Sequence, residues 1–335
     1  MISCAPDPGS RTERADSMDK RERIVAAITG EATDRVPCGF WHHFDKRDAF
    51  GEASVRAHLA FYEETDADVL KVMNEHMYRL EQEIHCAADW KKVRPVPFER
   101  TDYPGYIEEF RAIRRAVPAD VPLWVTIHGA LVSAYHATDT PGHFSNPDNM
   151  VSRHLREEPE SVAPALMAVA ETLADLCDRL IDAGADGVYY AALGGESYRF
   201  SQQLLEESVI PADRYVIGRV KSRGSTAVLH ICKDKVMLPA YRSVDADVFN
   251  WAVHECPYSL ADGRTLFPGK TLLGGFDDRS GVLVDGTEED IAAETHAILR
   301  EAGTARFILG ADCTLPDDVS LRRIRAAKKA VLSFK

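Results

Sequence analysis

A closed (β/α)8 barrel is the fold class this 335-residue sequence predicts, and three observations predict it. Eight short runs rich in β-branched and aromatic residues recur along the chain. Amphipathic helical stretches alternate with them, the pattern of a parallel sheet covered by helices. No Gly-rich dinucleotide or phosphate-loop fingerprint follows any run, which sets back the alternative of an open doubly wound sheet.

The strand candidates are "VPCGFW" (36–41), "DVLKVM" (68–73), "PLWVTI" (122–127), "DGVYYA" (186–191), "TAVLHI" (226–231), "DVFNWA" (247–252), "TLLGGF" (271–276) and "ARFILG" (305–310). The clearest helix spans 160–182, where Val162, Leu166, Val169, Leu173, Leu176 and Leu180 recur at helical spacing. Residues 288–302 follow a Thr and open on acidic residues, as a helix N-terminus does, and end before a Gly. Residues 318–333 carry Leu321, Ile324, Val331 and Leu332 on one face. The polar first stretch, 1–17, reads as an arm preceding one barrel domain over 18–335.

Composition narrows the function. A net charge of −13 argues against a nucleic-acid partner, because phosphate binding needs clustered Lys and Arg. No apolar run reaches the roughly 20 residues of a membrane helix, and the N-terminus lacks the apolar segment of a secretory signal. A cytoplasmic protein is the expectation. Its seven cysteines are odd in number and widely spread, which suits reduced thiols better than a disulfide framework.

In such barrels the chemistry sits at the C-terminal ends of the strands. Those ends hold His42 and His43; Lys71 and Asn74; His128; Tyr190 and, further on, Glu196; His230 and Cys232; Asn250 and Trp251; Asp277; and Cys313. His230 and Cys232 lie two apart on one strand, so both side chains point to the same side. Imidazole and thiolate are good zinc ligands. Two ligands make a poor site, and Cys313 after the last strand supplies a third. A His/Cys/Cys set leaves one coordination position open, the pattern of a catalytic zinc. The plainer reading is that a buried His-x-Cys pair is core, since Cys packs as a small hydrophobe. Cys177 takes that reading, on a helix face. Lys71 is equally readable as a surface charge, Tyr190 and Trp251 as barrel packing, and one of His42 and His43 as pointing away from the cavity.

Four stretches resemble the uroporphyrinogen decarboxylase superfamily, and within it the zinc-dependent branch that includes methylcobamide:coenzyme M methyltransferases. They are "RERIVAAITGEATDRVPCGFW" (21–41), "DADVLKVMNE" (66–75), "LHIC" (229–232) and "DCTLPDDVSLRRIRAAKKAV" (312–331). The resemblance implies a (β/α)8 barrel and zinc on His230, Cys232 and Cys313. The decarboxylase branch lacks the His-x-Cys pair and places arginines after the first strand; this chain has His42-His43 there. Where the methyltransferases follow the pair with Gly and a small polar residue, this chain has Lys233-Asp234, which leaves the substrate open.

The resemblance therefore implies a methyl or alkyl transferase, in which a thiol substrate is activated as a zinc thiolate and attacks a methyl donor. In the family that donor is often a methyl-corrinoid, sometimes carried by a partner protein, and a homodimer is the assembly it suggests. Asp277, His128 and Glu196 are then the candidates for catalysis. His42, His43, Lys71, Asn74, Tyr190, Asn250 and Trp251 are the candidates for binding substrate. Two rival readings are a lyase acting on a small carboxylic acid through the rim residues, and a barrel that binds a corrinoid or tetrapyrrole without turnover.

Overall fold

The computed structural model describes residues 17–139, 144 and 146–334; the proposed arm falls almost entirely outside them. Seven strands form one sheet: β1 (Leu70–Val72), β2 (Leu123–His128), β3 (Gly187–Ala192), β4 (Thr226–Ile231), β5 (Val248–Trp251), β6 (Thr271–Phe276) and β7 (Phe307–Ala311). They pair in chain order, every pair parallel. Helices fill the crossovers between most of them, the longest Pro159–Asp182 before β3, and others include Ile210–Ser222, Glu288–Ala302 and, after β7, Leu321–Ser333. This is a curled α/β sheet of TIM-barrel type, with seven ladder strands rather than the eight expected.

The missing strand is the first, 36–41. Its residues are extended, but they make only an isolated parallel bridge, Cys38 to Leu309. Gly39 N donates to Leu309 O and Leu309 N to Pro37 O, both at 2.9 Å, while Asp68 N donates to Cys38 O at 2.9 Å. The segment therefore lies between β7 and the approach to β1 without a continuous ladder. Two features of its sequence explain this. Pro37 has no N–H to give and Gly39 weakens a strand. The Cys38 N–H is taken by the Asp68 carboxylate at 2.8 Å instead of by a neighbouring strand. Asp68 is fully buried and also accepts from Arg23 (2.9 Å) and Arg35 (2.6 Å).

Alternation along the strands sorts side chains into two cores. Inside the barrel lie Trp41, Val69, Met73, Trp124, Tyr189, Val228, Val248, Leu273 and Ile308. Between sheet and helices lie Leu70, Val72, Val125, Tyr190, Leu229, Ile231, Phe249 and Trp251. Both faces are apolar because a parallel sheet is covered on both sides. The helix Lys20–Thr29, capped by Asp19, adds Ile24 and Ala27 to the inner core, and Thr271 at the start of β6 donates to Ala27 O at 3.0 Å. That helix closes the N-terminal end, leaving the C-terminal end for a cavity. No helix among the described residues is long and apolar enough to cross a membrane.

Candidate metal centre and its cavity

His230 on β4 shares the inward parity of Val228, and Cys232 follows just beyond the strand. Its amide is held by Ala192 O at 3.1 Å, which carries the β3–β4 pairing one residue further. Cys313 arrives from the end of β7. The three come together: Cys232 Sγ lies 3.6 Å from Cys313 Sγ, and Cys313 Sγ lies 3.3 Å from His230 Nε2. Among the described residues they form the one group of three or more His, Cys or acidic residues with ligand atoms mutually within 4.8 Å. A tetrahedral zinc with ordinary bond lengths sets ligand atoms about 3.6–3.8 Å apart. The observed 3.3 and 3.6 Å fall just short of this, so the donor set fits zinc once the ligand atoms move apart by a few tenths of an ångström.

The two thiols are hydrogen-bonded to each other. The hydrogen bond from Cys232, then attraction to His230, holds the Cys313 thiol well below its ordinary value despite burial. The same hydrogen bond, with burial, pushes Cys232 up. Behind the ligands, the Tyr189 ring stacks on His230 with centroids 5.3 Å apart and planes 23° apart. Tyr189 donates to Asn250 Oδ1 at 2.9 Å, and Asn250 donates to Leu273 O (2.9 Å) and Ala311 O (3.2 Å). Asn250 thereby ties the His230 support to the strand end that delivers Cys313. His230 Nδ1 is buried with no hydrogen-bond partner among the described residues.

The three side chains form one wall of a cavity of about 400 Å³. The facing wall comes from β1 and β2 and from the helix Ala130–Thr138: Lys71, Asn74, Glu75, Thr126, His128 and His136. Burial pushes His128 down to about 3 and also lowers His136, so both imidazoles are neutral donors or acceptors at neutral pH. Glu75 stays ionised: burial opposes its charge, but His43, whose Nδ1 lies 3.8 Å away, outweighs it. Burial also pushes the Lys71 ammonium down to about 7, although Cys313 and Glu75 favour its charge.

Of the thirteen candidates named from sequence, seven line this cavity: His43, Lys71, Asn74, His128, His230, Cys232 and Cys313. Asn74 donates to Thr126 O at 3.2 Å, joining the ends of β1 and β2. The other six lie elsewhere. His42 packs on Phe44 and Phe61, with centroids 4.8 and 4.9 Å away. Tyr190 points into the helix layer and donates to Asp213 at 2.6 Å. Trp251 points the same way and donates to Tyr258 O at 3.0 Å. Asn250 is inward but sits below the cavity. Glu196 is fully buried in an ion pair with Arg199 at 3.0 Å. Asp277 caps its own turn, accepting from Arg279 N and Ser280 N at 2.8 and 3.0 Å.

Two of the outward residues have an inward neighbour. Tyr189 lines the cavity where Tyr190 does not. Asp278, next to Asp277, is 2 % exposed and pushed up to about 7, first by burial and then by Cys313. Glu75 and His136, neither of them given a role from the sequence, also line the cavity. Glu75 adjoins Asn74, but nothing in the sequence marked His136.

A family model described as "Uroporphyrinogen decarboxylase (URO-D)" matches residues 70–334. No curated protein matches the chain. Among solved structures, a methyltransferase from Methanosarcina mazei superposes with a TM-score of 0.78 at 17% identity, covering 94% of this chain and 98% of that one. A B12-independent methionine synthase from a Shewanella species, in complex with selenomethionine, superposes with a TM-score of 0.61 at 12% identity, covering 89% and 96%. A putative enzyme of that same description from Listeria monocytogenes gives 0.56 at 13% identity, covering 83% and 85%. At these identities the likeness is one of fold.

Proposed function

The chain belongs to the uroporphyrinogen decarboxylase family, and from that premise we propose that it is a zinc-dependent methyltransferase acting on a small thiol. The observation that carries the reading is the convergence of His230 Nε2, Cys232 Sγ and Cys313 Sγ at 3.3 and 3.6 Å on the wall of a cavity. Three ligands of this kind would hold zinc with one position facing the cavity. Zinc bound there lowers the pKa of a thiol ligand, giving a thiolate at neutral pH. A methyltransferase and a methionine synthase among the structural neighbours support the same class of reaction.

The chain's own residues do the rest. Tyr189 and Asn250 fix the His230 ring. Neutral His128 and His136, with Asn74, offer hydrogen bonds to the thiol's polar end across the cavity. The His43–Glu75 pair at the mouth accepts the proton that the thiol releases. A cavity of about 400 Å³ takes ligands near the lower end of the usual range for small-molecule sites. A corrinoid ring is too large to enter, so a methyl-corrinoid donor presents its methyl group at the mouth, on a partner protein; a small methylated donor enters whole.

The test is to incubate zinc-loaded protein with a panel of small thiols and methylcobalamin or simple methyl donors, and to follow S-methylated product by mass spectrometry. Product formed by the wild type and absent in Cys313→Ala supports the proposal. Release of carbon dioxide from small carboxylic acids, unaffected by chelation and without thiol methylation, would replace it with a lyase.

A further inference from the structure

The proposed thiol chemistry leaves one buried group on the cavity wall without work, and its surroundings are those of a nucleophile. Lys71 is 3 % exposed, on β1, and lines the cavity. An ammonium has three donors to satisfy. Here its one hydrogen-bond partner among the described residues is Met73 Sδ at 3.4 Å, a weak acceptor. No carboxylate among the described residues lies within ion-pair distance. Instead Nζ sits over two aromatic faces, 4.3 Å from the Tyr189 ring centroid and 4.9 Å from that of Trp41. The ring faces attract a cation, which partly offsets its burial.

The other charged or titratable groups on the cavity wall are Glu75 and His43 at the mouth, His128 on β2, Tyr135 and His136 on the helix Ala130–Thr138, Tyr189 on β3, and His230, Cys232, Lys233 and Cys313. A lysine desolvated against aromatic faces, with no carboxylate in ion-pair contact, holds a larger share of free amine near neutral pH than an exposed one, and the free amine is the state in which lysines attack carbonyl carbon. The direction of its shift, set first by burial, agrees.

We propose that Lys71 is a carbonyl-capturing lysine, which takes a small aldehyde or ketone entering the cavity as an imine. In this step the Nζ lone pair forms a bond to the carbonyl carbon. The carbonyl oxygen leaves as water, carrying both amine protons, and a C=N bond remains. Neither zinc nor an oxidant takes part. Lys233, which lines the same cavity but is half-buried, is the internal comparison.

The experiment uses the full chain at pH 7.5, both zinc-loaded and chelator-stripped, with limiting propionaldehyde or glyoxylate and sodium cyanoborohydride. Cyanoborohydride supplies the hydride that reduces an imine to a stable secondary amine, and thiol–aldehyde adducts are not fixed by it. Peptide mapping is expected to find Lys71 modified at least about tenfold faster than Lys233 or the mean surface lysine. The preference should vanish when the protein is first unfolded in urea, and Lys71→Met, with unchanged circular dichroism, should leave only the slow background. Retention of the preference in stripped protein separates this inference from the zinc reading, which it does not need. Modification spread evenly over surface lysines, or Lys71 reacting only after unfolding, would overturn it. Glyoxylate bound reversibly at Lys71 without a reduced adduct would overturn it too, and would make Lys71 an anchor for anions.

Discussion

Replacing Asp213 by Asn should remove a pH-dependent weakness from the fold. Asp213 lies behind β3, 1 % exposed, and accepts the Tyr190 hydroxyl proton at 2.6 Å through Oδ1. Its Oδ2 has no partner among the described residues. The same hydroxyl accepts from Ala130 N at 2.9 Å, at the start of the helix that carries His136 into the cavity. Burial pushes the carboxyl up to about 7, against the pull of the Tyr190 hydrogen bond. An unfolded Asp titrates near 3.9, so the folded state binds more protons between about pH 4 and 7. Stability therefore falls as pH rises through that window. About three units at about 1.4 kcal/mol each sets a ceiling of about 4 kcal/mol. The amide introduced by Asp213→Asn keeps an oxygen to accept from Tyr190 and never ionises. Urea unfolding of chelator-treated Asp213→Asn and wild type should give similar stabilities near pH 4, with a gap of about 1.5 kcal/mol already open at pH 5. At pH 8 the variant should be the more stable, by as much as about 4 kcal/mol. Because other titrating groups cancel in the difference, parallel pH profiles would show that Asp213 does not titrate between the folded and unfolded states in this window.

Three further outcomes follow from particular contacts. Tyr189→Phe leaves the buried Asn250 Oδ1 unpaired and should cost about 1–3 kcal/mol in urea unfolding; looser support of His230 should also weaken zinc affinity, by about tenfold or more in a chelator competition. Gly263→Ala places a Cβ 2.1 Å from the tip of the Trp251 indole, which cannot yield in a packed layer. Overpacking of this kind should lower stability by about 1–3 kcal/mol, read as a lower urea midpoint. Asp68→Asn breaks the buried pairs with Arg23 and Arg35 that hold the 36–41 segment, and should cost about 3–5 kcal/mol by the same measurement.

Strand positions were legible because runs such as "TAVLHI" and "TLLGGF" are apolar, β-branched and short. Seven of the eight runs form strands with ends within two residues of where the sequence put them. The first run failed for a reason the sequence did contain: Pro37 and Gly39 sit inside it. Which side chain faces the cavity was harder to read. In a doubly covered parallel strand both parities are apolar, so nothing in "GVYY" separates Tyr189 from Tyr190. The "DD" after β6 is likewise ambiguous, and the structure turns Asp278 inward and Asp277 into its own turn. Glu196 looked available because its buried partner, Arg199, is only a local i+3 neighbour whose burial no periodicity reveals. His230, Cys232 and Cys313 were accessible because two-residue spacing on a strand fixes a shared side, and the C-terminal ends of all strands in a parallel barrel open on one rim. His136 was out of reach, since the helix Ala130–Thr138 was not among those the sequence suggested.

The proposed thiol chemistry depends on three ligands closing around one metal ion. Elemental analysis of purified wild type, beside His230→Ala and Cys313→Ala variants shown to be folded by circular dichroism, tests it most directly. About one zinc per chain is expected in the wild type, as a single three-ligand site requires, and little or none in either variant. A wild type that takes up no zinc after reconstitution under reducing conditions, or variants that keep theirs, would contradict it.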